Sequence, residues 1–278
     1  MKTIIILFCL AALASGCGES SHATGKERVV AAFYPLAFAA QEIGGDRVDV
    51  VNLTPAGAEP HDLEVTPSTV RELRGADLVL LLGHGFQPQL EKAAEGDSVL
   101  LLLDTPGLQR YPNGDPHVWL DPIRFSLIVK RIGRALHAQR PTQRFVAQLE
   151  ELDREYRRGL AHCARREIVT SHEAFAYLGE RYGLRQVAIT GLTPEAEPSP
   201  RDLEHVVSIV RKTHATTIFF ETLVSPRIAE TVANETGAKT AVLNPIEGLT
   251  PDEAKAGENY FTVMRSNLAH LQAALGCR

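Results

Sequence analysis

Three histidines stand in short loops where their rings could reach a ligand. His61 and His117 each follow an acidic residue and a proline, and His172 follows a Thr-Ser pair at the end of an apolar run. Neutral imidazole is the commonest nitrogen ligand for metal ions, so three such rings indicate a metal site built from distant parts of the chain. Because no Cys-x-x-Cys or His-Glu-x-x-His arrangement accompanies them, the alternative of three ordinary solvated histidines stays open.

The elements that position these loops follow the pattern of an α/β fold. Apolar runs of strand length are continuous rather than alternating, and helix-like segments separate most of them, which is typical of parallel sheets covered on both faces. The runs form two sets of four, at residues 29–33, 48–53, 78–82 and 99–103 and at residues 168–170, 186–189, 217–220 and 240–243. We expect two mostly parallel four-stranded sheets, each flanked by helices. Open sheets of this kind bind ligands at the carboxyl ends of their strands, and His61 and His172 both follow strands.

A strand-free stretch separates the two sets of strands. Its second half, from Pro141, repeats apolar residues at spacings of three and four, which predicts a helix about 30 Å long. We expect an N-terminal lobe over residues 28–140, a linking helix over residues 141–161 and a C-terminal lobe over residues 162–278.

Charge and composition exclude some classes of function. The chain has 278 residues, a formal net charge of -5 and only 6% aromatic residues. These values argue against a basic or stacking surface for nucleic acid. A small charged or polar ligand fits the composition better.

The N-terminus predicts export. Residues 1–16 contain one Lys near the start, followed by a short apolar run, which is typical of a signal peptide. Small residues directly before Cys17 are similar to a bacterial lipoprotein processing site, so we expect a lipid on Cys17 and a flexible tether over residues 17–27. The protein would then be anchored to the membrane by lipid, facing the periplasm or the cell exterior. Plain secretion after nearby cleavage is the alternative.

Two cysteines remain after the leader and the expected lipidation site. In an exported protein, Cys163 and Cys277 predict a disulfide bond. Two inert buried thiols are the alternative interpretation.

Six segments carry a resemblance to a known family, at residues 59–68, 115–122, 170–178, 191–200, 218–221 and 243–249. In order along the chain, they resemble zinc-binding solute-binding proteins of ATP-binding-cassette importers, the cluster A-I or ZnuA/AdcA-like family. The resemblance covers nearly all of the chain after the leader. It implies two α/β lobes joined by one long rigid helix, with the metal ion between the lobes.

The resemblance also implies the metal ligands. His61 and His117 would bind the ion from the first lobe, and His172 from the second. Glu247 lies in an Asn-Pro-Ile-Glu stretch like that of zinc-binding relatives, whose Glu is the fourth ligand; water in that place is the alternative. Manganese-selective relatives have an Asp near the position of Asn244. Three imidazoles and one carboxylate suit tetrahedral Zn²⁺ better than Mn²⁺.

Several acidic residues are candidates to accept a hydrogen bond from the histidine ring nitrogen that does not bind the metal. A histidine that binds a metal usually donates its other ring N–H to an acceptor. The candidates for that acceptor role are Glu59, Glu64, Asp121, Glu173 and Glu221.

The function implied by the resemblance is capture and transport of Zn²⁺ by a monomer, with no catalysis. The ion would pass to an integral-membrane permease of an ATP-binding-cassette importer. Three alternatives stay open: a manganese-binding protein of the same importer class, an exported zinc hydrolase with an open three-His site, and an adhesin.

Overall fold

The computed structural model describes residues 25–278 except 95, 97 and 195. The predicted signal peptide at residues 1–16, the predicted lipid on Cys17 and most of the predicted tether lie outside the described residues. Within them, two four-stranded sheets of parallel strands confirm the predicted α/β class, with a helix connecting two lobes. No helix in the described part of the chain has the length and apolarity to cross a membrane.

The N-terminal lobe has the strand order β2-β1-β3-β4. Its central strands, β1 and β3, contain mostly buried residues, whereas the edge strands β2 and β4 are mostly only partly buried. Its elements are β1 (Glu27–Ala31), α1 (Tyr34–Gly44), β2 (Val48–Asn52), α2 (Pro67–Arg74), β3 (Leu78–Leu81), α3 (Pro88–Ala93), β4 (Val99–Leu101) and α4 (Pro122–Ala135).

The C-terminal lobe repeats this topology, with the strand order β6-β5-β7-β8. The carboxyl ends of the strands in both sheets lead into the loops that contain the histidines. Its elements are β5 (Glu167–Thr170), α6 (Ala176–Tyr182), β6 (Arg185–Ala188), α7 (Pro200–Thr213), β7 (Thr217–Phe220), α8 (Arg227–Thr236), β8 (Lys239–Val242), α9 (Pro251–Lys255) and α10 (Tyr260–Leu275).

The linking helix, α5 (Gln139–Gly159), has 21 residues. It begins two residues before Pro141, because proline is tolerated in the first turn of a helix, where its missing N–H would have no partner. The buried face of α5 contains Phe145, Leu149, Leu152 and Tyr156, at the spacing that the sequence predicts.

Helix α10 forms a second connection between the lobes, which the sequence pattern does not reveal. At its start, the Tyr260 hydroxyl donates to the carbonyl of Trp119 at 2.6 Å, and the Phe261 ring packs 5.3 Å from that of Phe145. Further along, the Tyr156 hydroxyl of α5 donates to the carbonyl of Met264 at 2.6 Å. The two helices therefore support each other.

The predicted disulfide between Cys163 and Cys277 is confirmed. It joins the segment after α5 to the segment after α10. Backbone hydrogen bonds from Ala164 to Gly276 and from Arg165 to Leu275 run beside it.

Candidate metal centre

His61 lies in the loop that follows β2. A hydrogen bond of 3.0 Å from the Gln87 side chain to the carbonyl of Pro60 holds this loop, and the ring of Phe86 packs 4.7 Å from the His61 ring. The His61 side chain is 9% exposed, whereas those of the other candidate ligands are fully buried. Solvent therefore reaches the cluster on the side of His61.

His117 lies in a tight turn before α4, and Asp115 determines its orientation. One oxygen of Asp115 accepts both the backbone N–H of His117 at 2.9 Å and the ring Nδ1–H at 2.8 Å. A proton on Nδ1 leaves the lone pair of Nε2 free for a metal ion. The carbonyl of Asp115 also accepts the hydroxyl of Tyr177 from the other lobe, at 3.0 Å.

His172 follows β5, and Glu221 at the end of β7 holds its ring. The Nδ1–H of His172 donates to Glu221 at 2.6 Å, and the Ser171 hydroxyl donates to the same carboxylate oxygen. The carbonyl of His172 accepts from Thr170 Oγ1 and Gln186 Nε2, each at 2.8 Å. Both the ring and the backbone of His172 are therefore fixed.

Glu247 completes the cluster from a loop between β8 and α9. Its Oε1 lies 2.8 Å from His117 Nε2, 3.3 Å from His61 Nε2 and 3.6 Å from His172 Nε2. The other carboxylate oxygen, Oε2, is buried and has no hydrogen-bond partner. An unpartnered carboxylate oxygen among imidazoles is the chemistry expected where a cation binds.

The spacing of the four side chains suits a tetrahedral ion. Donor atoms 2.0–2.1 Å from such an ion stand about 3.3 Å apart. His117 Nε2 and His172 Nε2 are separated by 3.3 Å, and the candidate ligand atoms of His61, His117, His172 and Glu247 all lie within 4.8 Å of one another. The structure thus brings together the four residues that the resemblance implies.

The carboxylates around the cluster favour positive charge within it. Burial alone would lower the pKa of His117 and His172, but hydrogen bonds and charge attraction from Asp115, Glu221 and Glu247 outweigh burial. The pKa of His117 is therefore raised, and that of His172 is raised to about 10. Burial would raise the pKa of Glu247, yet its hydrogen bonds to the histidines hold it well below its usual range. A divalent cation supplies the positive charge that this environment favours.

The residues predicted to accept a histidine ring N–H have different hydrogen-bond partners in the structure. Glu221 holds His172 as described, and the ring of His117 is held by Asp115 rather than by Asp121. Asp121 is the N-cap of α4: its Oδ1 accepts the backbone N–H of Ile123 at 2.8 Å, and its Oδ2 pairs with the Arg124 side chain. Helix capping therefore occupies the carboxylate of Asp121.

Three other predicted acceptors do not bond a histidine ring in the described part of the chain. Glu59 accepts the backbone N–H of His61 at 3.0 Å, and its burial beside Glu247 raises the pKa of Glu59 to about 9. Glu64 is exposed, and Glu173 is half-buried with its backbone N–H bonded to Gly191.

The side chain of Asn244, which stands near the Asp position of manganese-selective relatives, is hydrogen-bonded within the protein. Its Nδ2 donates to Thr222 and Glu253, and its Oδ1 accepts the backbone N–H of Ile246. These contacts engage both polar atoms of the side chain. The bond to Ile246 lies within one loop, but the contacts of Asn244 with Thr222 and Glu253 and of Tyr177 with Asp115 join residues from different elements. The sequence gives no local signal for those contacts.

Zinc-binding and zinc-uptake proteins of two bacteria are among the known proteins that this chain resembles. The zinc-binding lipoprotein AdcA of Streptococcus pneumoniae is 34% identical over 302 residues, which are 98% of this chain and 60% of AdcA. This chain therefore spans about three fifths of the length of AdcA. The high-affinity zinc uptake system protein ZnuA of Bacillus subtilis is 32% identical, with 97% of each chain covered.

A solved structure supports the same relationship. The Zn(II)-bound ZnuA-like domain of Streptococcus pneumoniae AdcA superposes with a TM-score of 0.78 at 36% identity, covering 90% of this chain and 99% of that domain. The profile of the ZnuA family, described as zinc-uptake complex component A, periplasmic, matches residues 29–274. The resemblance seen in the sequence is thereby confirmed, and the chain belongs to the ZnuA family.

Proposed function

We propose that this chain captures Zn²⁺ between its two lobes outside the cytoplasm and delivers it to the permease of an ATP-binding-cassette importer. The observation that carries this proposal is the cluster of His61, His117, His172 and Glu247, whose ligand atoms all lie within 4.8 Å. Three nitrogen donors and one carboxylate at this spacing suit Zn²⁺ rather than Mn²⁺. The names of the AdcA and Bacillus subtilis ZnuA relatives support zinc as the ion.

Capture rather than catalysis follows from the closed ligand set. A catalytic zinc site keeps a position open for water or substrate, whereas Glu247 would occupy the fourth position of the proposed site. An exported zinc hydrolase would need that position free. The proposed role is therefore to hold the ion tightly until the permease accepts it.

Export and anchoring complete the proposal. The signal segment of residues 1–16 would direct export and be removed. The lipid on Cys17 would then keep the mature protein, as a monomer, at the membrane surface. The AdcA relative is named a lipoprotein, which supports the anchor. The lobes at residues 28–140 and 162–278 would then be free to meet the permease.

Metal binding tests the proposed function directly. We expect the purified protein to bind one Zn²⁺ and to prefer Zn²⁺ to Mn²⁺ in a competition titration with a chromophoric chelator. His172→Ala and Glu247→Ala should each weaken binding by at least about tenfold, because each removes a donor.

Two variants serve as matched controls. His84→Ala removes an exposed histidine that is bonded to Asp104, and Glu64→Ala removes an exposed glutamate. Both should bind zinc like the unaltered protein. Zinc binding that is indifferent to Glu247 would contradict the closed site, and absence of tight binding would overturn the proposed function.

A further inference from the structure

The residue before Glu247 has a strained backbone. Ile246 has a φ of 59°, in the left-handed region, and its side chain is completely buried. The other non-glycine residues with positive φ in the described part of the chain are His84, His137 and His214, none of which is β-branched. A β-branched residue is disfavoured in this conformation, so surrounding contacts hold Ile246 there.

Two buried hydrogen bonds act directly on the turn that contains Ile246. The side-chain oxygen of Asn244 accepts the backbone N–H of Ile246 at 2.7 Å. The indole N–H of Trp119, from the N-terminal lobe, donates to the carbonyl of Pro245 at 2.7 Å. Both bonds constrain the chain immediately before Glu247.

Asn267 holds the base of the same turn. It lies on α10 and is 1% exposed. Its Nδ2 donates to the carbonyl of Asn244 at 2.6 Å, and its Oδ1 accepts the backbone N–H of Asn244 at 2.9 Å. A buried amide is costly unless its polar atoms are bonded, and those of Asn267 bond the backbone of this one residue.

We propose that Asn267 is a positioning residue for Glu247: by holding Asn244, it keeps the turn at Ile246 in the left-handed conformation that directs the Glu247 carboxylate at the three histidines. This inference rests on the proposed function, since it assigns Asn267 a role in that metal site. Without Asn267, Asn244 loses two backbone hydrogen bonds, and only the bonds at Pro245 and Ile246 still oppose relaxation of Ile246 to negative φ. Glu247 would then turn away from the histidines.

The test is a double-mutant comparison on the full protein. Asn267→Ala removes both hydrogen bonds, and Asn267→Leu removes them while retaining side-chain volume. Each change is made alone and together with Glu247→Ala. Gln272→Ala is the matched control, because Gln272 is also on α10 and also donates to a backbone carbonyl, that of Gly159, at 3.2 Å.

Three measurements are made on each variant: Zn²⁺ affinity by competition, the visible spectrum of the Co²⁺ form, and the thermal unfolding midpoint. Zn²⁺ has a filled d shell, so Co²⁺ is the probe that reports ligand number. We expect Asn267→Ala and Asn267→Leu to weaken Zn²⁺ binding by about tenfold to a hundredfold. Their Co²⁺ spectra should resemble that of Glu247→Ala, and neither change should weaken binding further once Glu247 is absent.

The outcomes separate the two proposals. If the unaltered protein does not bind zinc, the proposed function and this inference both fail. If it binds zinc but the Asn267 variants keep its affinity, only the positioning role is overturned. A purely structural role would give a loss of affinity that persists in the Glu247→Ala background, and this result would also overturn the inference.

Discussion

Each buried histidine of the cluster is held by a carboxylate on the far side of its ring. Asp115 bonds the Nδ1–H of His117, and Glu221 bonds that of His172. These bonds select the tautomer that presents Nε2 to an ion and keep the ring from rotating. They also add negative charge next to the site, which favours a bound cation.

Asp115→Ala should weaken zinc binding by about tenfold to a hundredfold, because the ring of His117 loses the bond that orients it. Asp104→Ala is a suitable control, since Asp104 also bonds a histidine, His84, at 2.6 Å, but that histidine lies outside the cluster. Competition titrations on both variants check the prediction. Equal affinities for the two variants would contradict it.

Protons should compete with the metal ion for His117 and His172. The pKa of His117 is raised and that of His172 is raised to about 10, so each ring keeps a proton to higher pH than an ordinary histidine when no ion is bound. Zinc binding must release these protons, and the apparent affinity should therefore fall as pH decreases from 8 to 5. We expect a fall of at least about tenfold per pH unit, the slope for release of one proton. An affinity independent of pH would exclude this competition.

At the scale of elements, α5 is fixed to α6 of the C-terminal lobe by a cluster around Asp153. Its carboxylate accepts from Arg181 Nε at 2.6 Å, from the Tyr182 hydroxyl at 3.1 Å and from Arg157 Nε at 3.0 Å. Arg181 also lies 3.3 Å from Asp121, at the start of α4. The linking helix is thus bonded to one lobe and indirectly to the other.

Asp153→Asn should lower the free energy of unfolding by about 1–2 kcal/mol at pH 7, because the charged acceptor is lost. Burial would raise the pKa of Asp153, but bonds from Arg181 and Arg157 outweigh burial and lower it. A lowered pKa contributes stability above the unfolded-state value, near 4, and that contribution disappears as pH falls through the folded-state value. The difference between the two proteins in urea unfolding should therefore shrink below about pH 4.

Glu151→Gln provides the comparison for Asp153→Asn. Glu151 is on the same helix and pairs with Arg154 and Arg158, but these pairs are exposed. Exposed pairs contribute little, so this change should leave stability nearly unaltered. Equal effects of the two substitutions at pH 7 would contradict the role assigned to Asp153.

At the scale of the whole molecule, the two lobes share one hydrophobic core. This core includes Leu80 of β3, Leu149 of α5 and Leu178 of α6, together with Leu271 of α10. A separate, smaller core lies in the C-terminal lobe and includes Val206 of α7. Packing that continues from one lobe to the other favours a site whose donors keep fixed relative positions.

Removal of the disulfide should destabilise this arrangement. Cys163 and Cys277 are separated by 114 residues, so the bond restricts the unfolded chain by about 5 kcal/mol in the loop-entropy description. Urea unfolding of the double variant Cys163→Ser, Cys277→Ser should show a loss approaching this value. Reductant should lower the free energy of unfolding of the unaltered protein and leave that of the variant unchanged. If reductant does not change the stability of the unaltered protein, the prediction is wrong.

The sequence by itself determined the local features of this protein. Continuous apolar runs predicted each of the eight strands in the described residues, and periodic apolar residues predicted α5. Burial on both faces of a sheet, or on one face of a helix, leaves such a pattern over a few neighbouring residues. The motifs around His61, His117 and His172 and the stretch before Glu247 identified the candidate site through their resemblance to a family.

Only the tertiary structure decided which groups meet. Asp115 rather than Asp121 holds His117, because capping of α4 occupies Asp121. Asn267 reaches Asn244 because α10 packs beside the loop after β8, and the strain at Ile246 exists only in the folded chain. Contacts between residues distant in sequence depend on how whole elements pack, and no local pattern of residue types records that packing.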